Sequence, residues 1–235
     1  MVEIINTETV EELAGEFFKE FENEVRSLPA NKLINVALCG GESVPGFYKE
    51  LGRNIEKLPF ERMHFFMLDE RIDKKKRNSF VVEENIIKEI HPRLAEFVRE
   101  NFHYIEDVEE YAEKDPEKIA QFYTDILRKY SPTLTFDIII ASSGEDMHIG
   151  SLFPESDLLG LKHKGYAYVS DSPKSPKERI TLLPESIVKS KVSFAFFIGK
   201  KKRQAYLDFT TKNLSLHKAP IALLNSTKTY LVTDL

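Results

Sequence analysis

Several things are scarce in this chain. Its 235 residues contain one cysteine, Cys39, which cannot close an internal disulfide, so a reducing compartment is expected. No stretch approaches the ~18 consecutive apolar residues of a membrane helix, and no membrane partner is expected. The opening MVEIINTETVEELAGEFF has no basic segment leading into an apolar one. It reads as lacking a signal peptide, and a cytoplasmic location is expected. Excess positive charge is missing too. Against 38 Asp and Glu stand 33 Lys and Arg, a net charge of −5, which argues against a nucleic-acid partner. Internal repeats and low-complexity linkers are absent. What remains is an ordinary globular composition, 42% hydrophobic and 30% charged, read as one domain over residues 1–235.

Hydrophobic spacing supplies the elements. Thr9 is placed to cap a helix whose Val10, Leu13, Phe17, Phe18, Phe21 and Val25 share one face. Apolar runs at 33–40, 63–71, 135–142, 165–172, 191–199 and 228–234 read as strands, and 101–106 as a weaker one. Helices are expected over 45–55, with Pro45 in the first turn, and over 79–90, 109–130 and 200–211. The 109–130 segment should restart around Pro116. Strands alternate with helices, and several strands are apolar on both faces. This predicts an α/β fold, Rossmann-like, with a mostly parallel sheet and helices on both faces. Functional groups should then gather at the carboxyl ends of the strands.

Four segments fit that position. Gly40 and Gly41 follow a strand and precede a helix, where backbone N–H groups can close on an anion. Taken alone, such a pair is more often a plain turn. Asp69, Glu70 and Arg71 follow the next strand; Arg71 offers paired donors to phosphate or carboxylate, or else the three form a local salt bridge. Lys74, Lys75, Lys76 and Arg77 read as a solvated loop. In IIIASSGEDMHIGSLFP, Asp146 and His148 stand just past a buried strand. A lone histidine is usually structural, but a carboxylate two residues away can fix its tautomer and raise its basicity. His64, His91, His103, His163 and His217 lack this setting, and His64 reads as structural. Lys174, Lys177 and Arg179 lie around two prolines in SDSPKSPKERITL, a candidate anion clamp or simply a basic surface loop.

Together, and in this order, these segments resemble the 6-phosphogluconolactonase family. The resemblance rests on Gly40-Gly41-Glu42-Ser43, on Asp69-Glu70-Arg71, on Gly144-Glu145-Asp146-Met147-His148 with Ser151-Leu152-Phe153-Pro154, and on Ser172-Pro173-Lys174-Ser175-Pro176 with Arg179-Ile180-Thr181-Leu182. It spans nearly the whole chain. It implies a hydrolase of the pentose phosphate pathway that needs no metal and no cofactor, on a fold shared with glucosamine-6-phosphate deaminases. The chain departs from the family in having Ser142 and Met147 where glycine is usual, Asn78-Ser79 in reversed order, and an extra acid at Glu42. Positive φ is expected at residue 147, with strain that glycine would avoid.

The implied substrate is a sugar-phosphate lactone, 6-phospho-D-glucono-1,5-lactone. His148 is expected to take a proton from the attacking water, with Asp146 orienting His148 or the substrate. Gly40, Gly41, Ser43 and Gly144 are expected to contact substrate or its oxyanion, and Arg71, Lys174 and Arg179 the phosphate. Ser43 and Ser151 lie in no nucleophile-elbow pattern, so water attack ranks above an acyl-enzyme. A monomer or weak homo-oligomer is expected. The alternatives are a glucosamine-6-phosphate isomerase/deaminase, against which Arg71 and Ser151-Leu152-Phe153 stand, and a non-catalytic sugar-phosphate binder, which would have no use for a base.

Overall fold

A computed structural model describes residues 2–235. Seven parallel strands form the main sheet: β1 (Val2–Ile5), β2 (Ile34–Leu38), β3 (Met63–Met67), β5 (Phe102–His103), β6 (Ile138–Ser142), β9 (Val192–Phe197) and β10 (Lys228–Thr233). Their spatial order is β1-β10-β9-β6-β2-β3-β5. From β2 the chain winds one way through β3 and β5; from β6 it winds the other way through β9 and β10. The switch point therefore lies between β2 and β6, and a crevice opens there beyond the strand ends.

Every residue of β2, β3 and β9 is buried, which is what apolar residues on both faces require. Helix α1 (Val10–Ser27) starts with the expected cap: Thr9 Oγ1 accepts from Glu12 N at 3.2 Å, and Thr9 N donates to the Glu12 carboxylate. Phe17 of α1 meets Phe194 and Phe196, alternate residues of β9. The register aligns Phe194 with Ile140, Val36 with Ile138 and Val36 with Phe65, so these residues share that face. Phe66 points to the other face, where it packs on Tyr123 of α6 (Pro116–Tyr130). Helices thus cover both faces, as the alternating pattern predicts. Helix α6 begins at Pro116 behind its cap Asp115. No helix among the described residues is long and apolar enough to cross a membrane.

Four expectations are corrected. The strand read over 63–71 breaks at Leu68. Its end, β4 (Asp69–Arg71), pairs antiparallel with β8 (Arg179–Leu182), which pairs with β7 (Tyr166–Val169) in a separate three-stranded sheet. The 165–172 segment is thus a strand outside the main sheet. The weak strand over 101–106 shrinks to two residues, because Tyr104 N turns to the Asp107 carboxylate at 3.0 Å. The helix read over 79–90 ends at Asn85 as α3 (Ser79–Asn85), followed by a 3₁₀ turn. Two strands, β1 and β8, are absent from the sequence reading.

Candidate active site

The small sheet brings distant chain segments to the switch point. A cavity of about 410 Å³ opens there, lined by the loops after β2, β4 and β6 and by the start of β8. Gly40, Gly41, Ser43, Arg71, Gly144, His148, Lys174 and Arg179 all line it. Asp146 stands behind His148 rather than in the wall.

Close approach explains two of the glycines. A Cβ on Gly40 would fall 1.9 Å from Asn78 Oδ1, and one on Gly144 would fall 2.2 Å from the His148 ring. Any side chain at 144 would displace the imidazole. Residue 147 has φ 63°, the left-handed conformation expected for it. Its N–H donates to Gly144 O at 3.0 Å, and its carbonyl accepts from Ile221 N at 2.9 Å. The Met147 side chain is buried, so the strained residue is held by packing and by both backbone bonds.

This turn sets Asp146 against His148, with Asp146 Oδ1 bonded to the imidazole Nδ1. Lys174 Nζ lies 2.8 Å from Asp146 Oδ2. Burial works to raise the Asp146 pKa, but the hydrogen bonds and charges of His148 and Lys174 outweigh it and hold the carboxyl well below its usual range. An ionised carboxylate only accepts, so Nδ1 carries the ring proton and Nε2 keeps a free lone pair. Phe153 stacks on the ring at 4.6 Å and fixes its plane.

Beneath this pair lies a hydrogen-bonded layer. Asp69 accepts from Ser151 Oγ at 2.6 Å and from Asn78 Nδ2 at 3.1 Å. Arg179 donates to the carbonyls of Pro176 and Lys174 at 2.8 and 2.9 Å. It also lies 3.9 Å from Asp69 and 5.5 Å over the Phe153 ring. Its guanidinium therefore props the loop that carries Lys174. Arg71 donates to Lys76 O at 2.7 Å.

The alternative for Asp69, Glu70 and Arg71, a local salt bridge among the three, does not form. Glu70 instead accepts from three backbone N–H groups, Arg71 at 2.7 Å, Asn78 at 2.5 Å and Ser79 at 2.8 Å. Burial pushes its carboxyl up to about 7 despite those donors. Arg77 corrects another expectation. It is buried and paired with Glu106 and Glu109, whose two carboxylates offset its desolvation, so it is no part of a solvated loop. Lys177 faces away to Asp171. His64 and His103 sit together in the core, 3.1 Å between ring nitrogens, well apart from the cavity.

Sequence reasoning missed Lys202. It follows β9 and reaches back into the cavity, where Nζ donates to Ser43 Oγ at 2.8 Å and to Ser142 Oγ at 2.7 Å. Burial lowers its pKa, as does Lys174 nearby. The available signal was positional: Gly199 and a lysine run directly after a buried strand repeat the glycine-then-charge pattern found after β2 and β6.

Comparison with known proteins agrees with this fold. The family described as glucosamine-6-phosphate isomerases/6-phosphogluconolactonase matches residues 8–233. A 6-phosphogluconolactonase of Borreliella burgdorferi is 30% identical over 223 residues, covering 94% of this chain and 90% of the relative. A probable 6-phosphogluconolactonase of Schizosaccharomyces pombe is 30% identical, covering 94% and 87%. Among solved structures, 6-phosphogluconolactonase from Thermotoga maritima superposes with a TM-score of 0.75 at 23% identity, covering 99% of this chain and 100% of that one. A monomeric glucosamine-6-phosphate deaminase superposes equally well, 0.75 at 18% identity, covering 99% and 97%, so the fold by itself does not separate the two activities.

Proposed function

The chain belongs to the glucosamine-6-phosphate isomerase/6-phosphogluconolactonase family, and from that premise we propose that it hydrolyses 6-phospho-D-glucono-1,5-lactone to 6-phospho-D-gluconate in the oxidative pentose phosphate pathway. The observation that carries this reading is an imidazole with one nitrogen pinned to an ionised carboxylate and the other free, in the wall of a lysine- and arginine-lined cavity.

His148 Nε2 takes a proton from water as the water oxygen attacks the lactone carbonyl carbon. The carbonyl oxygen becomes an oxyanion, and backbone N–H groups around Gly40, Gly41 and Gly144 are its candidate donors. As the tetrahedral intermediate collapses, the bond to the ring oxygen breaks and His148 returns the proton to it. Asp146 keeps the tautomer fixed and stabilises the charged imidazolium between the two transfers. The product carboxylic acid then loses its proton to solvent.

For the phosphate, charge pairing selects among the cations. Lys174 is matched by Asp146, and Arg179 is tied to backbone carbonyls. Among the described residues Lys202 has only hydroxyl partners and Arg71 only the Lys76 carbonyl, so both carry unmatched charge at the cavity. The phosphate is therefore assigned to Lys202, Ser43 and the Gly40-Gly41 loop, with Arg71 lining the same cavity and Lys174 and Arg179 shaping the acid–base side. Binding this remote dianion holds the carbonyl beside His148. A reducing, cytoplasmic setting suits the buried free thiol of Cys39.

The test is a coupled assay in which fresh phospholactone is offered to the purified protein and 6-phosphogluconate is read through its dehydrogenase. Acceleration well above spontaneous hydrolysis is expected. Ammonia release from glucosamine 6-phosphate, with no lactone hydrolysis, would reassign the site to the deaminase branch.

A further inference from the structure

Ser142 ends β6 in register with Phe196 of β9, partly buried and facing the cavity. Lys202 Nζ bridges its hydroxyl and that of Ser43, at 2.7 and 2.8 Å. Among the described residues Lys202 forms no ion pair and no third hydrogen bond. An ammonium has three N–H donors, so one remains. Each serine accepts through its oxygen, which leaves its own hydroxyl proton to donate elsewhere. Three donors, the third ammonium N–H and two hydroxyls, are thus available side by side on the cavity wall. That number matches the three terminal oxygens of a phosphate monoester.

We propose that Ser142 is a phosphate-positioning residue. Its oxygen holds Lys202 at the cavity wall, and its hydroxyl proton goes to a phosphate oxygen. This rests on the phosphate placement given above, and it adds a third donor from a different strand end. Two serines on separate loops also fix the ammonium laterally, which one hydroxyl on a flexible lysine stem does not. Ser142 thereby favours a phosphate dianion over a neutral sugar hydroxyl.

The test compares Ser142→Ala and Ser142→Thr with the wild type on the phospholactone and on unphosphorylated gluconolactone. A hydrogen bond to a charged group is worth about tenfold or more in binding, so Ser142→Ala is expected to lower the phospholactone-to-gluconolactone selectivity about tenfold. The change should appear in KM, with kcat within about twofold of wild type, and Ser142→Thr should restore it. Calorimetric titration with 6-phosphogluconate and with inorganic phosphate reads the cradle without turnover. Weaker binding to Ser142→Ala in a protein that hydrolyses no lactone would overturn the lactonase reading and leave Ser142 in place. Lactonase activity with unchanged phosphate binding in Ser142→Ala would do the reverse. Equal losses on both substrates, or a threonine variant as weak as alanine, would also reject the role.

Discussion

Two lysines line the same cavity and meet opposite fates. Lys174 lies against Asp146, its charge matched and its place set by a loop that Arg179 props. Lys202 is more enclosed, yet it has only serine hydroxyls for partners. A matched cation tunes its neighbours; an unmatched one in a partly buried wall carries a desolvation cost that an incoming anion can offset. On the proposed reading the cavity has a chemical side at His148 and a holding side at Lys202.

The sharpest way to break this division is His148→Asn. Losing general-base help should cut kcat by ~10²–10⁴-fold, while calorimetric binding of 6-phosphogluconate stays near wild type. A parallel loss of product binding would show that the two sides are one. Next in size, Lys202→Met should raise KM for the phospholactone by roughly 10–100-fold, since it removes an unmatched charge and its donors. Its effect on unphosphorylated gluconolactone should be far smaller; a kcat collapse instead would move Lys202 to the chemical side.

Met147→Gly probes the backbone under the chemical side. Leaving the left-handed conformation to glycine relieves roughly 1–2 kcal/mol. Removing a buried Met side chain costs about 1.5–3 kcal/mol, and glycine adds entropy to the unfolded chain. A net loss of about 1–2 kcal/mol in urea unfolding is expected from these opposed terms. A gain would mean that strain dominates.

The smallest effect concerns Lys174→Met and acid stability. Asp146 has a folded pKa below its unfolded one, so its stabilisation is present above the unfolded value, near 4, and is lost as pH falls through the lower folded value. Removing Lys174 raises the folded pKa toward the ordinary one. For a partly exposed ion pair the Tm difference should be roughly 1–3 °C at pH 6 and shrink steadily as pH falls below 4, vanishing only below the depressed folded value. A difference that does not shrink at all between pH 6 and pH 2 would trace to packing rather than charge.

Much of this was legible in the chain. The runs INVAL, MHFFM and VSFAFF are apolar at every step or nearly so, and a parallel sheet buried on both faces demands that. Asp146 and His148 were legible because a polar pair directly after such a run has few structural uses. The small sheet was not, since β4 has three residues and its partner β8 lies more than a hundred positions away. Pairing across that separation leaves no local periodicity. Lys202 was hidden for a different reason. Within Lys200-Lys201-Lys202-Arg203 all four cations look alike, and only the folded chain turns one of them inward.

Glu70 closes the loop after β4 on itself. One carboxylate clasps N–H groups at both ends of the segment, Arg71 on one side and Asn78 and Ser79 on the other. The residues between are closed off as a separate ring. Within it Arg77 is buried against Glu106 and Glu109, and the Lys76 carbonyl holds Arg71, so only the exposed side chains at 73–75 can vary while Arg71 and Asn78 keep their stations at the cavity. The exposed side chains of the tip are in that sense replaceable parts, and the clasp together with the buried Arg77 pairs keeps their exchange away from the site.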